Sequence, residues 1–221
     1  MNSALSLISI LILSYIVGST PTSIIMGKIL RGIDIREHGS GNAGGTNVFR
    51  VLGWKPALGV VIVDIFKGCL PTFYFATNLI SNSVTIDTGV LQILCGFAAV
   101  LGHTYTIFAG FKGGKGIGTL AGMLLALYPI AFPFCLIVFI LTLITTGYVS
   151  LGSMFAAASL PIFLLIFPLI GIPASSLSLI VFSLLIPWFA IFTHRSNIVR
   201  LRNGNENRFE KAMLFKRKKN S

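Results

Sequence analysis

Six stretches of the chain are almost wholly apolar: roughly 4–29, 55–78, 88–108, 117–146, 150–169 and 175–193. Runs of this length predict helices that cross a bilayer. Strict alternation of apolar and polar residues is scarce, which argues against a membrane β-barrel. The fourth run, 117–146, is too long for one span, since about 20 residues suffice. It carries Tyr128-Pro129 and then Pro133, and proline breaks a helix by removing a donor and crowding the preceding turn.

Charge decides between one helix and two. Lys28, Arg31, Arg36, Arg50 and Lys55 flank the first inter-helix loop, Lys112 and Lys115 lie in the third, and more than half of the Lys and Arg follow His194. The segments 79–87 and 169–174 have neither. Basic segments stay on the cytoplasmic side. Only a break near Pro129 puts them all there. The expectation is therefore an all-α, polytopic integral membrane protein of about seven transmembrane helices. Its N-terminus is outside, its C-terminus is cytoplasmic, and the fourth and fifth helices are short.

Composition agrees. The 221 residues are 54% hydrophobic and 10% charged, with mean hydropathy +0.88, against about 25% charged for a soluble domain. The net charge of +11 sits in short loops and a tail, as beside anionic lipid, so no nucleic-acid partner is expected. Cys69, Cys95 and Cys135 lie inside apolar runs without metal-ligand spacing. They read as small hydrophobes, and no metal or cofactor is expected. The first basic residue is Lys28, which suits a retained first helix rather than a cleaved signal. No linker or repeat is visible, so residues 1–221 are expected to form one transmembrane domain with a basic tail over about 195–221.

This topology collects three polar segments on the inner face. In "REHGSGNAGGTNVFR", Ser40, Asn42, Thr46 and Asn47 offer small polar groups. Gly39, Gly41, Gly44 and Gly45 allow close backbone approach, and Arg50 can grip phosphate or carboxylate. The bland alternative is a flexible turn-rich loop. In "GFKGGKGIGT", Lys115 is followed by Gly116 and the position five before Gly114 is Ala109, so it is no Walker loop. Successive N–H groups, the start of a helix near Ile117, and Lys112 and Lys115 still suit an anion. The alternative is a glycine hinge with snorkelling lysines. In "HRSNIVRLRNGNE", His194 and Asn197 share a helical face, with Arg200 near it, and histidine suits proton transfer near neutrality. The alternative is a basic stop-transfer anchor, the natural reading of "KAMLFKRKKN" beyond it.

Asp64 and Lys67 stand three apart inside the second apolar run. Charges at membrane depth are costly and mark function or a structural pair. His103, at the inner end of the third run, either orients the glycine loop, touches substrate, or is a satisfied interfacial histidine. Together these features describe a place where a water-soluble phosphate compound meets a lipid chain.

The segments "GSTPTSIIMGKILRGIDIREHGSGNAGGTNVFR", "DIFKGCLP", "GHTYTIFAGFKGGKGIGT" and "HRSNIVRLRNGNE" occur in that order. Together they resemble the bacterial membrane acyl-phosphate:glycerol-3-phosphate acyltransferases over the whole chain. The resemblance implies an enzyme of the bacterial cytoplasmic (inner) membrane, with its active site on the cytoplasmic face. It would move a fatty acyl group from acyl phosphate to the 1-hydroxyl of glycerol 3-phosphate, giving lysophosphatidic acid and inorganic phosphate in phospholipid synthesis. It would use no acyl-CoA or acyl carrier protein.

Carried over, Ser40, Gly41, Asn42, Asn47 and Arg50 would contact phosphate. Lys112, Gly113, Gly114, Lys115 and Gly116 would form the glycerol-phosphate loop. Lys67 and His103 are added as substrate-binding candidates, and Asp64 as structural. His194 and Asn197 would be needed for activity, and Glu206 would be a structural acid. Because an acyl phosphate is already activated, direct attack is expected, with His194 or a substrate phosphate oxygen as base. A Ser40 acyl-enzyme is the minority route. Four departures bear on geometry: Ala43 in place of isoleucine; Gly45 in place of alanine, expected to loosen its loop; Thr106 in place of proline; and Gly118 in place of alanine. The rival class is a transporter or channel for an anionic solute, supported by Asp64 and Lys67 but lacking an internal repeat.

Overall fold

A computed structural model describes residues 3–79, 86–210 and Met213. The rest of the basic run from Lys211, expected as an anchor, lies outside the described residues. All regular structure among the described residues is helical. The chain divides into two compact units, Met1–Pro129 and Ile130–Ser221.

The first unit holds α1 (Ser3–Gly18), α2 (Thr22–Arg31), α3 (Gly45–Leu52), α4 (Trp54–Leu70), α5 (Thr88–Thr104) and α6 (Ile117–Leu127). The first apolar run, expected as one helix, is broken at Ser19–Pro21. Pro21 has no N–H to continue the ladder and disfavours helical backbone at Thr20. The carbonyls at the break find other donors: the Thr106 hydroxyl takes Ser19 O, and Lys67 Nζ takes Thr20 O at 2.9 Å. Pro71 acts similarly at the end of α4, where the chain continues to Leu79 as a wider π-helical turn.

Helix packing in this unit runs through glycine. A Cβ on Gly122 would sit 1.8 Å from Ile65 O, and one on Gly68 would sit 1.9 Å from Thr119 O, locking α4 against α6. Gly18 against Ala99 O and Gly102 against Tyr15 O do the same for α1 and α5, at 2.0 and 2.2 Å. Small residues are what bring helix backbones together where hydrocarbon removes the hydrophobic drive. The polarity is inverted to match. Leu58, Ile62 and Phe66, one α4 stripe, are more than half exposed, while Ser6, Ser14, Asp64, Lys67 and Thr72 are buried.

The second unit holds α7 (Ala131–Thr146), α8 (Val149–Ile166), α9 (Leu177–Thr193) and α10 (Arg195–Arg202). The expected break near Pro129 falls between Leu127 and Ala131. Pro133 does not interrupt α7, because it stands in the first turn, where an N–H has no helical partner anyway. Residues 195–202, expected as the start of a tail, form α10, bent by 61° from α9 at His194. The chain then turns through Gly204 and returns to the α7–α8 connection, where Phe209 N donates to Gly147 O at 2.7 Å.

Among the described residues, four helical stretches are long and apolar enough to cross a membrane: Ser3–Arg31, Trp54–Leu79, Thr88–Ala109 and Val149–Ile170. The bent pair of α9 and α10 adds a fifth, and α6 and α7 are shorter.

Candidate active site

In the first unit the loop from Gly32 to Gly44 is organised from within. Asp34 accepts from Arg36 N at 3.0 Å and so starts the short turn Ile35–Glu37. Asn47, on α3 and fully buried, secures the rest. Its Oδ1 accepts from Ser40 N at 2.8 Å, and its Nδ2 donates to Ile35 O and His38 O, each at 2.9 Å. Both amide hydrogens are thus engaged by backbone carbonyls. Asn47 thus holds this loop together. Gly39, at φ 62°, passes so close to Asn47 that a Cβ would lie 2.4 Å from its Oδ1. Gly45 seats the start of α3 on α4, where a Cβ would meet Val61 Cγ2 at 2.5 Å.

Ser40 and Asn42 are half-buried on this loop, Gly41 adopts φ 72°, and Arg50 is half-buried on α3.

The lysine–glycine loop lies over His103. Gly113 N donates to Thr104 O at 3.0 Å and Gly114 N to His103 O at 3.2 Å. A Cβ on Gly114 would be 2.3 Å from His103 Nε2, and one on Gly113 would be 1.9 Å from His103 O. The amides of Phe111 and Lys112 also reach carbonyls, Thr106 O and Ala109 O. So the run of N–H groups expected to face an anion is engaged as far as Gly114. The amides that open α6, from Ile117 to Thr119, precede its first i→i−4 bond and lack helical partners. Gly116 makes this entry possible with φ 78°. Lys112 is exposed and Lys115 half-buried.

Beneath the loop is a buried charged group. Lys67 Nζ lies 2.8 Å from Asp64 Oδ1, and His103 Nδ1 lies 3.7 Å from the same oxygen. Lys67 also holds the carbonyl of the α1–α2 break, so this intramembrane charge has both a counter-ion and a backbone acceptor. Gly118 belongs here too, since a Cβ would sit 3.0 Å from Asp64 Cβ. Thr20, Thr22, Lys67, His103, Gly113 and Gly114 line a small cleft at the start of α2.

In the second unit His194 ends α9 and begins α10, with Ile198 N donating to His194 O at 2.9 Å. Its Nδ1 lies 2.8 Å from Ala190 O. A carbonyl only accepts, so Nδ1 is the donor in this contact. Asn197 is buried on the same side and donates to Glu206 Oε1 at 2.6 Å. Glu206 also accepts from Ser150 at 3.1 Å and from Arg200 Nε at 2.7 Å. Burial alone would raise its pKa, but the bonds from Asn197, Arg200 and Ser150 outweigh that and hold it below the ordinary carboxylate value.

Sequence reasoning missed Arg36, Asp34 and Ser150. The first two stand two apart immediately before the glycine loop, a readable charged pair. Ser150 is one small polar residue in an apolar run and carries no signal.

Comparison with known proteins accords with these features. The family model described as glycerol-3-phosphate acyltransferase matches residues 8–204. The glycerol-3-phosphate acyltransferase of Chlorobium phaeovibrioides is 45% identical, over 92% of this chain and 97% of its own. That of Chlorobaculum tepidum is 41% identical over the same shares. The crystal structure of PlsY (YgiH), an integral membrane glycerol 3-phosphate acyltransferase, in its glycerol 3-phosphate form is 35% identical. It superposes with a TM-score of 0.78 over 92% of this chain and 96% of that one. Its lysophosphatidic acid form gives 34% and 0.76. The chain therefore belongs to the glycerol-3-phosphate acyltransferase family.

Proposed function

We propose that this protein transfers a fatty acyl group from acyl phosphate to the 1-hydroxyl of glycerol 3-phosphate. The products are lysophosphatidic acid and inorganic phosphate, in phospholipid synthesis. The observation that carries the reading is the lysine–glycine loop, seated on buried His103 and leading through Gly116 into the amides of α6. That is a cationic, amide-rich cradle for a phosphate monoester, held at the end of apolar helices.

The attack is direct. The hydroxyl oxygen bonds to the acyl carbonyl carbon and the carbon–oxygen bond to phosphate breaks. The hydroxyl proton passes to His194 Nε2 or to a phosphate oxygen. Arg50, Lys112 and Lys115 neutralise phosphate charge, including that of the departing group, and binding both reactants together removes most of the entropic barrier. Ser40, Gly41 and Asn42 shape the acyl-phosphate end. Asn47, Asp64 and Glu206 hold their neighbours in place. Lys67 and His103 complete the polar lining beside the lysine–glycine loop, and Asn197 is needed for activity together with His194.

One domain over 1–221 carries this reaction in the bacterial cytoplasmic membrane. It has seven spans, the N-terminus outside, and the C-terminus and active site at the cytoplasmic face. Helices α6 and α7 are the two short spans.

The test is phosphate release by detergent-purified protein given palmitoyl phosphate with and without glycerol 3-phosphate, beside palmitoyl-CoA. Release that needs both substrates, with lysophosphatidic acid formed and the CoA tube silent, is the expected result. Silence in every tube from folded protein overturns it and turns attention to anion uptake into vesicles. His194→Gln then separates the bases: wild-type activity with an unchanged pH profile excludes His194.

A further inference from the structure

One side chain joins the two polar loops of the first unit. Arg36 Nε and Nη2 grip Asp34, with Nη2 to Oδ2 at 2.7 Å and Nε to Oδ1 at 3.0 Å. Its Nη1 points the other way and donates to Ala109 O at 2.9 Å and Lys112 O at 3.1 Å. Those two carbonyls bracket Gly110 and Phe111, which both have positive φ, 66° and 59°. For phenylalanine this is a strained backbone that the surroundings must impose. A planar guanidinium holds its donors in a rigid fork that spans both sets of acceptors, whereas an ammonium is a compact charge with rotatable donors on one nitrogen. Hydrogen bonding from Arg36 also brings the Asp34 carboxyl down to about 2, so the pair stays ionised.

We propose that Arg36, oriented by Asp34, is a positioning residue that clamps the Gly110–Phe111 turn. It thereby fixes where Lys112 and the glycines after it present themselves to the phosphate of glycerol 3-phosphate. The proposal rests on the reading of that loop as the glycerol-phosphate site. Arg36 itself touches no substrate; it acts through the Lys112 peptide.

The test compares Arg36→Lys, Lys112→Ala and the double variant in the phosphate-release assay with glycerol 3-phosphate varied. Detergent size-exclusion profiles serve as the folding control. Arg36→Lys keeps the charge and loses the two-way grip. It is expected to lower kcat/KM for glycerol 3-phosphate by about 10- to 100-fold, the scale of a small misplacement. Most of the loss should appear in KM, because the phosphate is held alike in ground and transition states. The double variant should lose less than the two single losses combined, and guanidinium ion should restore part of the activity of Arg36→Gly. Asp34→Asn, which leaves Arg36 in place but ungripped, should shift KM the same way, and it serves as the readout should Arg36→Lys fail to fold. Wild-type kinetics for Arg36→Lys beside an impaired Lys112→Ala, or losses that simply add, overturn the clamp. Wild-type kinetics for Lys112→Ala overturn instead the underlying reading of the loop.

Discussion

Asn197 and Glu206 meet at 2.6 Å across the turn that follows α10. With Ser150 and Arg200 donating to the same carboxylate, they bind the returning chain to the start of α8. Glu206→Gln removes the charge and turns an amide toward Arg200. The expected loss is about 1–3 kcal/mol, the cost of leaving buried donors unmatched. The pH dependence has a definite sign. The folded pKa lies below the ordinary 4.5, so the stabilisation is present above that pH and fades as pH falls through the folded value. Thermal unfolding in detergent should show a wild-type advantage at neutral pH that shrinks below pH about 4.5.

Asn47→Ala strands Ser40 N and takes one donor each from Ile35 O and His38 O, which keep only the longer bonds from His38 N at 3.4 Å and Gly41 N at 3.1 Å. A destabilisation of about 1–3 kcal/mol is expected, with earlier proteolysis between Ile35 and Ser40. Asn47→Asp keeps only the bond from Ser40 N and should be no milder. An unfolding curve matching wild type for either variant contradicts the holding role.

Gly122→Ala sets a methyl group against the Ile65 carbonyl at 1.8 Å, with backbone on both sides. Overpacking of this kind costs about 3 kcal/mol or more, and little monodisperse protein should be recovered. Gly59, on the same helix as Ile65, faces only Met26 Cε at 3.8 Å. Gly59→Ala should be recovered normally, so the pair distinguishes contact from helix propensity.

Gly114→Ala pushes a methyl group to 2.3 Å from His103 Nε2 and 2.5 Å from Ala43 O. The loop must lift, while the helices that carry it need not move. The expected outcome is retained helical content by circular dichroism with at least about tenfold lower kcat/KM for glycerol 3-phosphate. Unchanged kinetics would show that the loop's seat on His103 has no bearing on turnover.

The break between α6 and α7 was legible because loop charge and Pro129 pointed to it independently. The residues of the polar loops were legible because small polar side chains, glycines and basic residues stand out against hydrocarbon. What Asn47 does was not legible. An asparagine beside glycines offers the same groups whether it meets phosphate or carbonyls, and only the fold shows that its amide faces inward. Gly45, expected to loosen its loop, and Gly118 are places where α4 comes close, with a Cβ 2.5 Å from Val61 Cγ2 at the one and 3.0 Å from Asp64 Cβ at the other, distances no local sequence records. Ser150 and the break at Thr20–Pro21 depend on partners far along the chain, Glu206 for the one, Thr106 and Lys67 for the other.

The Arg36 bridge also bears on modularity. A lysine–glycine loop transplanted here must present two carbonyls where Ala109 O and Lys112 O stand, or Arg36 has nothing to hold. The two loops are therefore one structural part. A graft intended to change substrate preference must carry residues 34–36 and 105–116 together, or it will test the mismatch rather than the loop.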